Sequence, residues 1–298
     1  MTKLFTVLFL LLLIPSLVFA GNSKKVLVVG KIIYKPYELS LLGFVQSCEQ
    51  KVVFFNTYGL RKKDIHRRIY QEKPDLIVTI GGESLADVGS LKDFRVFSLM
   101  ALPQRIFQKT KRVTGISIEI APILQLQALH RTFPSAKKVG VFYDPKHSQE
   151  FIDTAKTAAQ GLGLTLLPLI VKTPSEVSEA LVEIKKQAEV LWMIPDPSII
   201  TAETIETFFG FSLSNKLPIM TFSEKYTDLG AAIALTADPE ETGRQAGRLV
   251  DKMFRDGNGT YSGIYTNNAI TTLNLRVIDQ LGIEANVESN KTLQVINQ

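Results

Sequence analysis

Polar side chains that could hold a small ligand follow several predicted strands, at the points where those strands end. The first of these places is a turn of two glycines, Gly81 and Gly82, which separates the apolar run 76–80 from a helix-like segment at Glu83 and Ser84. A strand that enters a helix through glycine directs unpaired backbone N–H groups at whatever lies above the strand end. Such groups suit the carboxylate of a ligand.

Later strand ends supply a second helix start, acidic groups that would suit an ammonium group, and aromatic rings that could cover an apolar side chain. The expected ligand-binding residues are Tyr37, Gly82, Glu83, Ser84, Asp144, Ser148, Asp196, Glu224 and Asp238. Together they predict a zwitterionic, amino-acid-like ligand. Each also has a plain structural interpretation, because Ser84 and Asp144 are good helix caps, Glu224 could be an exposed loop carboxylate and Tyr37 could be core packing.

Motifs typical of catalysis are missing from the sequence. It contains no Gly-x-Ser-x-Gly, no His-Glu-x-x-His and no Walker loop, and the Gly-Gly-Glu-Ser turn lacks the third glycine of a dinucleotide fingerprint. The three histidines, His66, His130 and His147, do not have metal-ligand spacing. We therefore expect no cofactor and no metal, and an enzyme is not indicated.

Strands and helices must alternate along the chain to place these residues. From Lys25 to about residue 120, and again from there to about residue 222, short apolar runs alternate with amphipathic segments. Two such runs predict an α/β protein with two doubly wound parallel-sheet lobes joined by a multi-strand hinge. The tail adds a strand, a long helix, another strand and a final helix, and is expected to cross back between the sheets.

The expected boundaries follow from this pattern. The first lobe would take residues 21–117 with about 236–262, and the second lobe residues 118–235 with about 263–298. Ligands of doubly wound sheets bind beyond the carboxyl ends of the strands, so both sets of strand ends should line one cleft between the lobes.

The N-terminal segment and the cysteine content predict an exported protein. Residues 1–20 have an early lysine, an apolar core and a small-x-Ala ending, which predicts a signal peptide cleaved after Ala20. The single cysteine, Cys48, cannot form an internal disulfide, and none stands at the cleavage point to carry a lipid. These features indicate the periplasm. The net charge of +5 is scattered apart from the basic run 60–68, which predicts a solvated helix face and no nucleic-acid partner.

Several longer segments carry a family resemblance. These are "KPYELSLLGF", "VTGISIEIAPILQLQALHRTFPSAKKVGVFYDPKHS", "KLPIMTFSEKYTDLGAAIALTADPEETGRQAGRLVDKMF" and "TTLNLRVIDQLGI". They resemble the ABC-transporter substrate-binding family of the tryptophan or aromatic amino-acid type, a branch of the type I periplasmic binding proteins. The resemblance covers Lys25 to about Ile283.

The resemblance implies two lobes that close on a small ligand, often a hydrophobic amino acid, and a membrane permease as partner. Carried over position by position, it points to the same nine residues as the strand-end argument. Glu83 departs from the family, whose members usually have Gly-Thr followed by small residues at this turn. The alternatives are a periplasmic sensory module that docks on a receptor kinase and, less favoured, an exported enzyme. A monomer is expected.

Overall fold

The computed structural model describes residues 23–101, 112–257, 264–287 and 293–296. The expected signal peptide lies outside the described residues. Within the described ranges, none of the helices combines the length and the apolar character that crossing a membrane requires.

The first lobe is built on a six-stranded sheet in which every neighbouring pair is parallel. Its strands are β1 (Lys25–Gly30), β2 (Lys51–Asn56), β3 (Leu76–Ile80), β4 (Val96–Ala101), β5 (Val113–Ile120) and β11 (Ile264–Thr266). Their spatial order is β11-β5-β4-β3-β1-β2. The continuous apolar runs of β1 and β3 fit this position, since both faces of a parallel sheet are covered.

Helices cover both faces of the first sheet. They are α1 (Lys35–Ser47), α2 (Lys62–Glu72), α3 (Gly82–Val88) and α8 (Pro239–Arg255). Val26 and Val28 of β1 pack with α1 and α8, whereas Leu27 and Val29 pack with α2 and α3. The alternation of side chains along each strand therefore gives the lobe two separate apolar layers.

The second lobe has a seven-stranded sheet in the order β13-β12-β10-β9-β8-β6-β7. Its strands are β6 (Lys138–Tyr143), β7 (Thr165–Ile170), β8 (Val190–Trp192), β9 (Ile219–Thr221), β10 (Ile233–Ala237), β12 (Ala269–Asn274) and β13 (Leu293–Ile296). The helices are α4 (Pro122–Thr132), α5 (Pro145–Gly161), α6 (Val177–Lys185), α7 (Ala202–Asn215) and α9 (Leu275–Leu281), with 3₁₀ turns at Pro174–Glu176 and Glu224–Tyr226. One face packs against α4, α5 and α9, and the other against α6 and α7.

The chain passes between the lobes three times. The passages join β5 to α4, β10 to α8, and β11 to β12. Because β10 runs toward the first lobe and β12 returns from it, these two strands pair antiparallel, the one antiparallel pair within the described sheets. The predicted α/β architecture with two parallel-dominated sheets is thus confirmed.

The tail differs from the prediction in two respects. The single strand predicted after the long helix is interrupted at Asn267 and Asn268, so β11 lies in the first sheet and β12 in the second, and a further strand, β13, follows the helix predicted to be the last element. A run of alternating apolar and polar residues does not show that its two halves belong to different sheets, which is why the sequence pattern missed the break.

Candidate functional site

The carboxyl ends of the strands in both sheets point toward the three passages. β5 leaves the first lobe at its carboxyl end and β10 leaves the second lobe at its own carboxyl end, so the parallel strands beside them end at the same region. We call the space between these two sets of strand ends the interlobe cleft. It is where a doubly wound sheet positions ligand-binding loops.

On the first-lobe side, a sharp turn at Gly81 packs against Tyr37, and Gly82 follows it as the first residue of α3. Gly81 has φ +85°, and a Cβ placed there would lie 2.8 Å from the Tyr37 hydroxyl oxygen, so only glycine fits. Tyr37 lies in the first turn of α1, and its ring packs edge-to-face against that of Tyr34, with 5.8 Å between centroids. Burial, and then the nearby Glu83 carboxylate, raise the pKa of Tyr37.

Glu83 belongs to an ion pair at this turn. Lys31, which follows β1, lies 2.9 Å from Glu83 Oε2 and 3.7 Å from Asp87 Oδ2. The hydrogen bond to Glu83, and then the Asp87 charge, raise the pKa of Lys31. The Glu83 side chain is 80% exposed, so the pair contributes little to stability. It does present both signs of charge to the cleft.

Ser84 is placed differently from its neighbour. It faces the packed side of α3 with Leu85 and Val88 and is 1% exposed. Its hydroxyl has no hydrogen-bond partner among the residues that the structure describes. Six other buried hydroxyls of the described residues also have no partner, so this property does not distinguish Ser84 as a ligand contact.

On the second-lobe side, Asp196 is fully buried and joins the ends of β6 and β8. Its Oδ2 accepts hydrogen bonds from the Asp144 backbone N–H at 2.9 Å and the Ser148 hydroxyl at 2.6 Å, and its Oδ1 accepts one from the Ser198 N–H at 3.0 Å. The carboxylate therefore fixes two loops from inside. Its predicted contact with a ligand stays a prediction.

Asp144 completes this network as the N-cap of α5. Its Oδ1 accepts a hydrogen bond from the Lys146 N–H at 3.0 Å, and its Oδ2 accepts one from the Ser198 hydroxyl at 2.8 Å. These two bonds, the first being the larger cause, lower the pKa of Asp144. Asp144, Ser148 and Asp196 are thus brought together, and Ser198, which the sequence analysis did not select, joins them. The signal for Ser198 was its place two residues after an aspartate, as in an Asx turn.

The last two predicted residues lie apart from both groups. Glu224 opens the 3₁₀ turn after β9 and is exposed. Asp238 lies at the second passage, where its side chain caps α8 by accepting hydrogen bonds from the N–H groups of Glu240 and Glu241, at 3.0 and 3.1 Å. Asp238 therefore has a structural role beside its predicted one.

Glu119, at the carboxyl end of β5, has an altered acidity that the sequence did not indicate. Burial, and then the charge of Glu150 on α5 of the other lobe, raise its pKa to about 7. The pKa of Tyr265 on β11 is raised by burial first and by the same two carboxylates next. Glu119 and Tyr265 are close because β5 and β11 are neighbours in the first sheet, and Glu150 acts on both from α5.

Two further features bear on chemistry. A groove of about 780 Å³ lies between Ile123 of α4 and the face of α5 that carries Glu150 and Asp153, and none of the nine predicted residues lines it. Burial raises the pKa of the Cys48 thiol to about 12, so it is a poor nucleophile. In the described ranges, no three His, Cys, Asp or Glu side chains are grouped to hold a metal ion.

Comparisons with known proteins agree with this geometry. A family model described as "ABC transporter substrate binding protein" matches residues 59–291. No curated protein sequence matches the chain.

Solved structures with the same fold cover between 80% and 92% of the chain. An ABC domain from Streptococcus pneumonia in complex with L-Trp has 18% identity and a TM-score of 0.57, and the match covers 91% of this chain and 100% of that one. The ligand-free, open structure of CD0873, a substrate-binding protein with adhesive properties from Clostridium difficile, has 19% identity and a TM-score of 0.69 over 92% and 99%. A solute-binding protein from R. palustris in complex with 4-hydroxybenzoate has 14% identity and a TM-score of 0.51 over 80% and 82%.

Proposed function

Because this chain belongs to the ABC transporter substrate-binding protein family, we propose that it binds a small amino-acid-like ligand in the interlobe cleft for an uptake system. The observation that carries the proposal is the convergence of both sets of strand ends on one cleft, with charged and aromatic side chains at its first-lobe side. The proposed compartment is the periplasm, and the proposed partner of the loaded protein is a membrane permease. The proposed role is binding without catalysis.

The Lys31–Glu83 pair supports a zwitterionic ligand. An α-amino acid carries an ammonium and a carboxylate a few ångströms apart, so each could approach the group of opposite sign. The exposed ring of Tyr34, edge-to-face with Tyr37, offers a surface for an apolar or aromatic side chain. The relatives that hold L-tryptophan and 4-hydroxybenzoate make aromatic amino acids and aromatic acids the first compounds to test.

The first experiment is native mass spectrometry of the freshly purified protein, followed by thermal-shift titrations with the twenty amino acids and with hydroxybenzoates. A ligand that binds the folded state raises the melting temperature progressively with its concentration. A bound mass or such a shift supports the proposal. Absence of both across the panel contradicts it.

We predict that Glu83→Gln weakens binding of the amino acid about tenfold, because the ammonium loses one charge-assisted hydrogen bond worth about 1.4 kcal/mol. A benzoate without an ammonium should bind equally well to the variant and the parent. Isothermal titration calorimetry measures both affinities.

Glu183→Gln is the matched control. Glu183 is also an exposed carboxylate paired with a lysine, 2.6 Å from Lys186, but it lies on the outer face of α6. The Glu183→Gln variant should bind the amino acid and the benzoate with the same affinities as the parent. If Glu83→Gln does the same, the ammonium does not bind at Glu83.

A further inference from the structure

A buried glutamine fixes the first passage to the second lobe. Gln125 of α4 donates a hydrogen bond from Nε2 to the Ile120 carbonyl at 2.7 Å and accepts one at Oε1 from Trp192 Nε1 at 2.9 Å. Gln125 is 5% exposed and Trp192 is 1% exposed, so both bonds lie inside the second lobe. Ile120 also packs with Ala128 of α4 and Leu235 of β10. The end of β5 is therefore held by the second lobe.

The strand is irregular immediately before Ile120. Ser117 pairs with Tyr265 and Ile120 pairs with Thr266, so Ile118 and Glu119 have no counterparts in β11. The Glu119 N–H donates a hydrogen bond to Ser117 Oγ at 2.8 Å instead of to a neighbouring strand. The ladder is disrupted at this point, so Ile118 and Glu119 are not held to β11 by ladder hydrogen bonds.

A second glutamine fixes the third passage to the first lobe. Gln245 of α8 accepts a hydrogen bond from the Asn267 N–H at 3.2 Å and donates a long one to the Tyr265 carbonyl at 3.4 Å. One turn earlier on α8, the hydroxyl oxygen of Thr242 lies 2.8 Å from the hydroxyl oxygen of Thr266, within hydrogen-bond distance. Residues 265–267 are thus held by the first lobe.

The second passage changes lobes at a similarly sharp point. Ala237 forms the last pair of the β10–β12 ladder, with Ala269, and so belongs to the second sheet. The next residue, Asp238, already caps α8 in the first lobe. Its backbone N–H donates a hydrogen bond to the Asn268 carbonyl at 3.1 Å, which links the second passage directly to the third.

We propose that Gln125 and Gln245 are positioning residues that confine the bending of the hinge to residues 118–119, the step between 237 and 238, and residue 268. Gln125 holds the first passage to the second lobe, and Gln245 holds the third passage to the first lobe. The backbone dihedral angles of the residues between these hydrogen-bonded positions can change when the lobes move. The inference rests on the proposed function, because closure on a ligand is the motion that the ties would direct.

The test measures the distance between the lobes in the ligand-free protein. Spin labels are attached at Lys63→Cys on α2 and Glu179→Cys on α6, both exposed positions, in a Cys48→Ser background, and their distance distribution is recorded by pulsed electron paramagnetic resonance. Gln125→Met and Gln245→Met keep the side-chain length and remove the hydrogen bonds. Each should at least double the width of the distribution. Gln245→Glu keeps the acceptor for Asn267 and should restore the parent width.

Asn274→Leu is the matched control for general destabilisation. The Asn274 side chain also bridges two backbone groups, donating to the Thr227 carbonyl and accepting from the Val277 N–H, both at 3.0 Å, but it lies wholly in the second lobe. It should lower the melting temperature as much as the glutamine variants and leave the width unchanged. Parent-like widths in both glutamine variants would overturn the proposal. The distance measurement uses the ligand-free protein, so its outcome does not depend on ligand binding. A failure to bind any ligand would contradict the proposed function but would not affect the test of the two glutamines.

Discussion

At the scale of single residues, the carboxylates after the strands of the second lobe hold backbone groups in place. Asp196 accepts three hydrogen bonds with no exposed surface, and Asp144 caps α5 while it accepts a bond from Ser198. A buried carboxylate without a cation beside it needs several donors to remain stable. The loops after β6 and β8 are therefore linked to each other through these two carboxylates.

Asp196→Asn should destabilise the protein by about 2–3 kcal/mol, because the new NH₂ group would face donors where the carboxylate now accepts. The free energy of unfolding from urea titrations gives the measurement. Asp153→Asn, at an exposed position on α5, should change it by less than about 0.5 kcal/mol. Equal effects of the two variants would show that the Asp196 network does not support the fold.

Glu119 gives the stability a pH dependence of known sign. Its pKa is raised from 4.5 to about 7, so between these values the folded state keeps a proton that the unfolded state has lost. Stability therefore falls as the pH rises through this window, and the loss is complete above about pH 7. Glu119→Gln should be more stable than the parent at pH 8, by about 3 kcal/mol, and equally stable near pH 4.

Urea titrations of Glu119→Gln and of the parent at pH 4, 6 and 8 would test this dependence. Glu206→Gln, which removes an exposed carboxylate on α7, serves as the control and should track the parent at every pH. A constant difference between Glu119→Gln and the parent across this range would mean that Glu119 ionises normally.

At the scale of elements, the closest helix contact joins two segments that are about 200 residues apart in the chain. On α8, Gly243 packs against α1 so tightly that a Cβ would lie 2.1 Å from the Ser40 carbonyl oxygen. Asp251, a later residue of α8, accepts hydrogen bonds from the Glu49 N–H and Gln50 Nε2, both at 3.0 Å, just after α1 ends. Together these contacts close one apolar layer of the first lobe.

Gly243→Ala should force the two helices apart and cost about 2–3 kcal/mol. Gly210→Ala, in the interior of α7, is the contrasting control, since nothing lies within 4 Å of its would-be Cβ. It should stabilise the protein by about 0.5–1 kcal/mol through helix propensity. Thermal unfolding followed by circular dichroism separates the two. A neutral Gly243→Ala would mean that the helix contact has room.

Most of the helices and strands could be predicted from the sequence, because apolar periodicity determines which segments form buried strands and amphipathic helices. The turn at Gly81 and the helix start at Asp144 were predictable in the same way, since each depends on neighbouring residues. The Lys31–Glu83 pair was not, because its partners are 52 residues apart and the order of strands β1 and β3 brings them together. The interruption at Asn267 and the hydrogen bonds of Gln245 could not be predicted either, because they also depend on which distant segments the fold brings together.

At the scale of the whole molecule, each lobe contains segments from distant parts of the chain. The first lobe takes α8 and β11 from beyond the second passage, and the second lobe takes β12 and α9 from beyond the third. Ile120, Ala237 and Ala269, one from each passage, belong to one apolar cluster with Ala128 and Leu235. We therefore expect the lobes to unfold together.

The single tryptophan makes this expectation testable. Trp192 lies in the core of the second lobe, so its fluorescence reports on that lobe alone. Gly243→Ala, a change in the first lobe, should lower the fluorescence midpoint by the same amount as the midpoint from circular dichroism. An unchanged fluorescence midpoint would show that the lobes unfold independently.

The packing of α8 against α1 also bears on how the chain is made. Val26, Phe44 and Val78 share an apolar layer with Ala246 and Val250, so this layer cannot form until the ribosome has synthesised the chain beyond residue 250. At about 5–20 residues per second, the N-terminal strands wait roughly ten seconds or more for their covering helix. During that interval the nascent chain stays incompletely folded, which is the state that a protein-translocation channel or a chaperone can still accept.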